Sequence, residues 1–109
     1  MKIETTKSFE KSVKPLAKKY RSFKEDYKDF INQLEERPDT GIDLGNGIRK
    51  VRMAITSKGK GKSGGARVIT FHTIKREGIL YLIYAYDKAE YDNIILPVIK
   101  ELINDLGLA

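Results

Sequence analysis

The sequence predicts an α+β domain in which an N-terminal helix hairpin packs on a twisted antiparallel sheet and a C-terminal helix closes the chain. Three observations predict it. Apolar residues recur at helical spacing in two stretches before Pro38, the period shortens to two behind Gly41, Gly45 and Gly47, and helical spacing returns just before Gly107. A chain of 109 residues, with no repeat beyond the two similar helices, has material for one core and so for a single domain over 1–109.

The elements follow in order. Lys2 to Thr5 reads as a short strand, with Thr5 or Thr6 placed to cap what comes next. Phe9, Val13, Leu16, Ala17 and Tyr20 form one stripe of a first helix in which Pro15 predicts a kink or a late start. Ser22 followed by Glu25 reads as a capping box for a second helix, whose stripe is Phe23, Tyr27, Phe30, Ile31 and Leu34 and which Pro38 stops. Strands are predicted at Ile48 to Thr56, Ala66 to Lys75 and Ile79 to Asp87, the last two joined by a tight turn over Lys75 to Gly78. A helix from about Asn93 to Leu106 ends at Gly107. The order is thus β-α-α-β-β-β-α, with one sheet face left open for function and Lys50, Arg52 and Ala54 pointing away from Val51, Met53 and Ile55.

Charge is unevenly spread. From Ile48 to Arg76 stand nine basic residues and no acidic one, which exceeds the net +6 of the whole chain and leaves the remainder net acidic. Such a block suits a polyanion, because each neutralised phosphate releases counterions. Arg49, Lys50, Lys58, Lys60 and Lys62 are therefore candidate polyanion-binding residues. With no cysteine and the single histidine His72, thiolate and histidine-rich metal sites are excluded, so metal-centred chemistry would have to rest on carboxylates, and no other cofactor is expected. No apolar run approaches the roughly 18 to 20 residues that span a bilayer, and no signal-peptide core opens the chain, so a soluble cytoplasmic protein without membrane partners is expected.

Between the first two long strands, lysines alternate with glycines from Lys58 to Lys62 and give way to Ser63-Gly64-Gly65-Ala66-Arg67. Glycines keep backbone amides accessible to anions while the lysines supply charge. Gly61-Lys62-Ser63 is not a Walker loop, since Thr56 stands where its first glycine belongs and a strand, not a helix, follows.

The runs Gly47 to Arg52, Gly61 to Ile69 and Ile83 to Glu90, with the two helices before them, resemble the RelE/ParE superfamily of toxin–antitoxin toxins, especially its HigB-like branch, over nearly the whole chain. That resemblance implies a RelE-like, microbial-RNase-like fold and an mRNA interferase that enters the ribosomal A site, where ribosomal RNA surrounds it, and cuts message without a metal ion. The 2′-hydroxyl would attack its own phosphorus, which calls for a proton acceptor, cations around the phosphorane and an acid for the leaving 5′-oxygen. It further implies a monomeric toxin held by a cognate antitoxin, expected to be a helix-turn-helix protein. Carried onto this chain, the pattern makes Arg67 the transition-state cation and Lys88 a contact to the scissile phosphate or leaving group. Arg52, Lys60 and Lys62 match basic positions before the glycine turn. Where relatives carry a C-terminal tyrosine this chain has Ile94, and Tyr91 is its nearest phenol.

Plainer readings compete with each assignment. Arg67 can pair with Asp87 or Glu90, Lys88 can be a solvated strand end, and Tyr81, Tyr84 and Tyr86 read better as sheet residues than as base platforms. His72 reads as a residue in or beside the sheet without chemistry, and Lys14, Lys18 and Lys19 as a solvated helix face. Two other functions fit the same sequence: a ParE-like inhibitor that binds DNA gyrase, and an RNA-binding module without catalysis.

Overall fold

The computed structural model describes residues 1–59, 64–90 and 96–107. Strand β1 (Lys2–Thr5) leads through Thr6 into α1 (Lys7–Lys19), and α2 (Phe23–Glu36) returns. Then come β2 (Ile42–Gly45), β3 (Ile48–Met53), β4 (Ala66–Phe71), β5 (Ile79–Asp87) and α3 (Leu96–Asp105). The sheet has five strands in the order β1-β5-β4-β3-β2. No helix among the described residues is long and apolar enough to cross a membrane.

The helix hairpin forms for the reasons its sequence gives. Thr6 has extended backbone angles and its side chain accepts from the Phe9 amide at 3.2 Å, satisfying one of the donors that a helix start leaves open. Phe9, Leu16, Phe23, Phe30 and Leu34 then bury against Val51, Met53, Val68, Leu80 and Leu82 of the sheet. Each such side chain contributes about 1.5 to 3 kcal/mol on leaving water. Ala17, expected on the buried stripe, is exposed. α1 begins at Lys7 and passes through Pro15, so the proline does not delay its start. Ser22 does not close a capping box: its backbone is already helical, and its hydroxyl donates to Asp26 at 2.7 Å and meets Ser57 at 2.9 Å.

The sheet differs from expectation in three ways. It is mixed, because β1 runs parallel to β5, with Lys2 opposite Ile79 and Thr5 opposite Leu82. Four residues with one apolar position specify no direction by themselves; β1 is oriented by α1, which leaves Thr6 across β5 and binds the β5 backbone through hydroxyls. Thr6 Oγ1 donates to the Leu82 carbonyl at 2.9 Å, Ser8 Oγ to the Ile83 carbonyl at 2.6 Å, and Ser12 Oγ accepts from the Ala85 amide at 2.9 Å. β2 is an additional strand, formed by a hairpin whose turn residues Asn46 and Gly47 both have positive φ, at 55° and 80°. Glycine is mandatory at 47, where a Cβ would stand 2.0 Å from the His72 carbonyl oxygen. Finally, β3 and β4 are shorter than their apolar runs, and a single helical turn over Ile74–Arg76, not a tight turn, leads to β5.

The second sheet face is only partly open. α3 lays Ile99 and Ile103 on Ile48, Ile69, Phe71, Tyr81 and Ile83, covering one end of that face. The expected start of this helix at Asn93 falls outside the described residues; its described turns end at Asp105, and Gly107 has φ of 70°.

A candidate nucleic-acid interface

At the other end of that face, strand alternation gathers the cations. Arg52 is paired with Arg67 across β3 and β4, and Arg67 with Tyr86 across β4 and β5. Lys50, two residues before Arg52, shares its side of β3. Lys88 lies one residue beyond β5, exposed. Together Lys50, Arg52, Arg67 and Lys88 line a cleft of about 710 Å³, whose other wall is the end of α2 with Phe30, Leu34 and Arg37. Like charges directly opposite each other in a sheet oppose folding, so an Arg-Arg rung is explained better by a ligand than by stability.

The two arginines differ in setting. Arg52 is exposed, whereas Arg67 is 7% exposed and donates from Nη1 to the Ala66 carbonyl at 3.1 Å. Burial first, and then the charge of Arg52, push the Arg67 guanidinium below its ordinary pKa, while Tyr86 pulls it back. A guanidinium starts so high that it stays protonated regardless. The result is a partly desolvated cation beside a hydrated one. Desolvated charge acts more strongly on a developing anion than charge in water.

Gly65 controls the start of β4. A Cβ there would lie 2.1 Å from the Met53 carbonyl oxygen and 2.9 Å from the Ile55 nitrogen, so only glycine lets the chain return this close to the end of β3. Two residues later comes Arg67. The described residues resume at Gly64; Lys60 and Lys62, expected to bind RNA or assist cleavage, lie outside them, as does Tyr91.

Beneath the cleft, on the helix face, sits a buried carboxylate. Asp87 is 1% exposed; its Oδ1 accepts from Lys58 Nζ at 2.8 Å and from the Ala89 amide at 2.9 Å, and its Oδ2 accepts from the Tyr20 hydroxyl. Lys19 approaches at 3.8 Å. Burial works against the ionised form, but the hydrogen bonds from Lys58, Tyr20 and Ala89 prevail and lower its pKa from 3.8 to about 2. Lys58 Nζ also reaches the Gly65 carbonyl at 3.3 Å. A second carboxylate, Asp26, holds the turn after β3 by accepting from the Thr56 amide at 2.8 Å, from the Thr56 hydroxyl and from Ser22. Burial raises the Asp26 pKa, and these bonds together bring it below the ordinary value.

The predicted residues therefore divide. Arg52, Arg67, Lys88 and Lys50 come together. Lys58 does not join the exposed cations: its side chain is 8% exposed and committed to Asp87, one of the two carboxylates that the plainer reading offered to Arg67. Arg49 points with Val51 and Met53 rather than with Arg52, and pairs with Asp43 at 3.9 Å. His72 is exposed past the opposite end of β4 from Arg67. Sequence reasoning missed Arg37, placed here by the end of α2, and the pairing of Tyr86 with Arg67, which counting back from a turn cannot give because β5 is irregular. A family model described as RelE toxin of RelE / RelB toxin-antitoxin system matches residues 1–102 of the chain.

Proposed function

The chain belongs to the RelE family of toxin–antitoxin toxins, and from that premise we propose that it is a metal-independent endoribonuclease that cuts mRNA on the ribosome. The family brings with it a cognate antitoxin as partner. The observation that carries the catalytic reading is the Arg52-Arg67 rung opening on a cleft with Lys50 and Lys88. The runs Gly61 to Ile69 and Ile83 to Glu90 favour the HigB-like branch and a helix-turn-helix antitoxin.

In this reading the 2′-oxygen of a bound nucleotide forms a bond to the adjacent phosphorus as its proton leaves, and the bond to the 5′-oxygen breaks as that oxygen takes up a proton. The products are a 2′,3′-cyclic phosphate and a 5′-hydroxyl. Arg67, partly desolvated, stabilises the equatorial oxygens of the phosphorane, and Arg52 adds charge from the solvent side. Lys88, exposed at the cleft, is positioned by sequence for the scissile phosphate or the leaving oxygen. Lys62 and Tyr91 are proposed proton carriers on the resemblance alone.

The test is incubation with ribosomes programmed with a defined message, followed by mapping of new 5′-hydroxyl ends. The wild-type protein should produce them in the presence of a metal chelator. Arg67→Ala should lower the rate about 10² to 10³-fold, the scale of losing one preorganised donor. Absence of new ends with the wild-type protein would refute the reading, and intact messages with a rising DNA-damage response would point to gyrase.

A further inference from the structure

The buried ion pair between Asp87 and Lys58 has no counterpart in the proposed chemistry, and it is poorly explained as a source of stability. An apolar pair of the same volume generally stabilises a fold as well or better, because both charges must leave water. What the pair does uniquely is geometric. Three short segments meet on it: the turn at Lys58, Gly65 at the entry to β4, and the end of β5. Lys88 lies at their junction. Its amide donates to the Gly65 carbonyl at 3.2 Å, the Ala89 amide donates to Asp87 Oδ1 at 2.9 Å, and the Glu90 amide donates to the Asp87 carbonyl at 3.1 Å. The backbone on both sides of Lys88 is thereby fixed by one aspartate, in the manner of an Asx turn. The same Gly65 carbonyl that receives Lys88 also receives Lys58 Nζ, and Gly65 is two residues from Arg67.

We propose that Asp87, with Lys58 and Tyr20, is a clasp that fixes Lys88 against Arg67 across the cleft, so that these three are positioning residues for the reaction. The inference rests on the ribonuclease reading above, and adds to it residues that touch no substrate. Tyr20 gives the clasp its anchor at the C-terminal cap of α1, because its hydroxyl donates to Asp87 Oδ2. Lys88 has no side-chain hydrogen bond within the fold among those described, so its aim depends on its backbone.

The test compares Tyr20→Phe, Lys58→Arg, Lys58→Met and the paired Lys58→Met with Asp87→Asn in the full chain. The paired replacement removes both buried charges together, since Asp87→Asn alone strands the Lys58 cation and Lys58→Met alone strands the Asp87 carboxylate, and either risks unfolding. With each variant confirmed folded by its near-ultraviolet dichroism, ribosome affinity should stay within about twofold of wild type while turnover of bound message falls about 10 to 100-fold in Lys58→Met and in the pair, the scale of a misplaced catalytic group. Lys58→Arg should recover most of that turnover. Full turnover in the folded pair, a loss confined to affinity, or equal loss in Lys58→Arg and Lys58→Met would overturn the clasp. Amide hydrogen exchange separates this outcome from failure of the ribonuclease reading, because it needs no cleavage. If the wild-type protein cuts no RNA, the function fails; the clasp still requires faster exchange at Lys88, whose amide donates to the Gly65 carbonyl that Lys58 also holds, in the pair with Leu82 and Ile83 unchanged, and unaltered exchange at Lys88 refutes it.

Discussion

Arg52 and Arg67 stand directly opposite each other in the β3–β4 ladder, one exposed and one buried. The stretch from Ile48 to Arg76 contains no acid, and Asp87, paired with Ala66 beside Arg67 in the β4–β5 register, turns toward Tyr20 on the other face. The rung works against the fold and so separates stability from activity.

Arg52→Ala should therefore leave stability unchanged or raise it by up to about 1 kcal/mol, the size of an unfavourable cross-strand pair. The same variant should cut RNA more slowly than wild type. Urea denaturation set beside the cleavage rate decides this; a clear loss of stability would mean that the arginine is held by contacts that outweigh the repulsion.

Salt should act on binding in proportion to the cations engaged. Affinity for single-stranded RNA should fall linearly on a log–log plot against salt, and Arg52→Gln or Lys88→Gln should each lower the slope by about 0.7. Arg49→Gln should change it less, since Arg49 points away from the cleft toward Asp43. Binding titrations at several salt concentrations provide the measurement.

Acid should weaken the fold through Asp87. Its folded pKa, about 2, lies below its ordinary 3.8, so the native state favours the ionised form. That contribution is complete above about pH 4 and disappears as pH falls through the folded value, amounting to about 2 kcal/mol in all. In the paired Lys58→Met with Asp87→Asn variant, stability measured by denaturation should fall less steeply between pH 4 and 2 than in wild type. Equal slopes would assign the acid sensitivity elsewhere.

Two glycines between β3 and β4 in sequence should respond very differently to alanine. Gly65→Ala puts a methyl 2.1 Å from the Met53 carbonyl oxygen and must push β3 and β4 apart, with a loss of several kcal/mol expected from overpacking against backbone. Gly59 has φ of 71° with nothing within 4 Å, so Gly59→Ala should cost only about 1 kcal/mol. Thermal denaturation of the two proteins, side by side, checks the order.

The helices and the main strands were legible because their apolar residues repeat at one period. Phe9, Leu16, Phe30 and Leu34 are buried where the stripe puts them, and Arg52 and Arg67 fall on the expected strands. β2 was not read because Ile42 is exposed and only Leu44 packs, leaving no alternation to see; the available signal was Asn46-Gly47, a pair suited to a two-residue hairpin turn. The direction of β1 was illegible for a different reason, since its partner β5 is far away in sequence and the bonds that orient it come from Thr6, Ser8 and Ser12. Composition alone made Lys58 look like its neighbours. Only the fold shows it turned inward to Asp87.

Opposite the step from Ile69 to Thr70, β5 carries one residue more than its partner, because Ile69 faces Tyr84 while Thr70 faces Leu82. That surplus residue shifts the phase of everything after it, so Tyr86 joins Ile83 beside α3 and Asp87 turns toward α1. A strand in strict alternation would deliver the carboxylate to the arginines and the phenol to the helices. The toxin would then carry its own counter-ion among the cations of the cleft, and a single surplus residue keeps it from being self-neutralised.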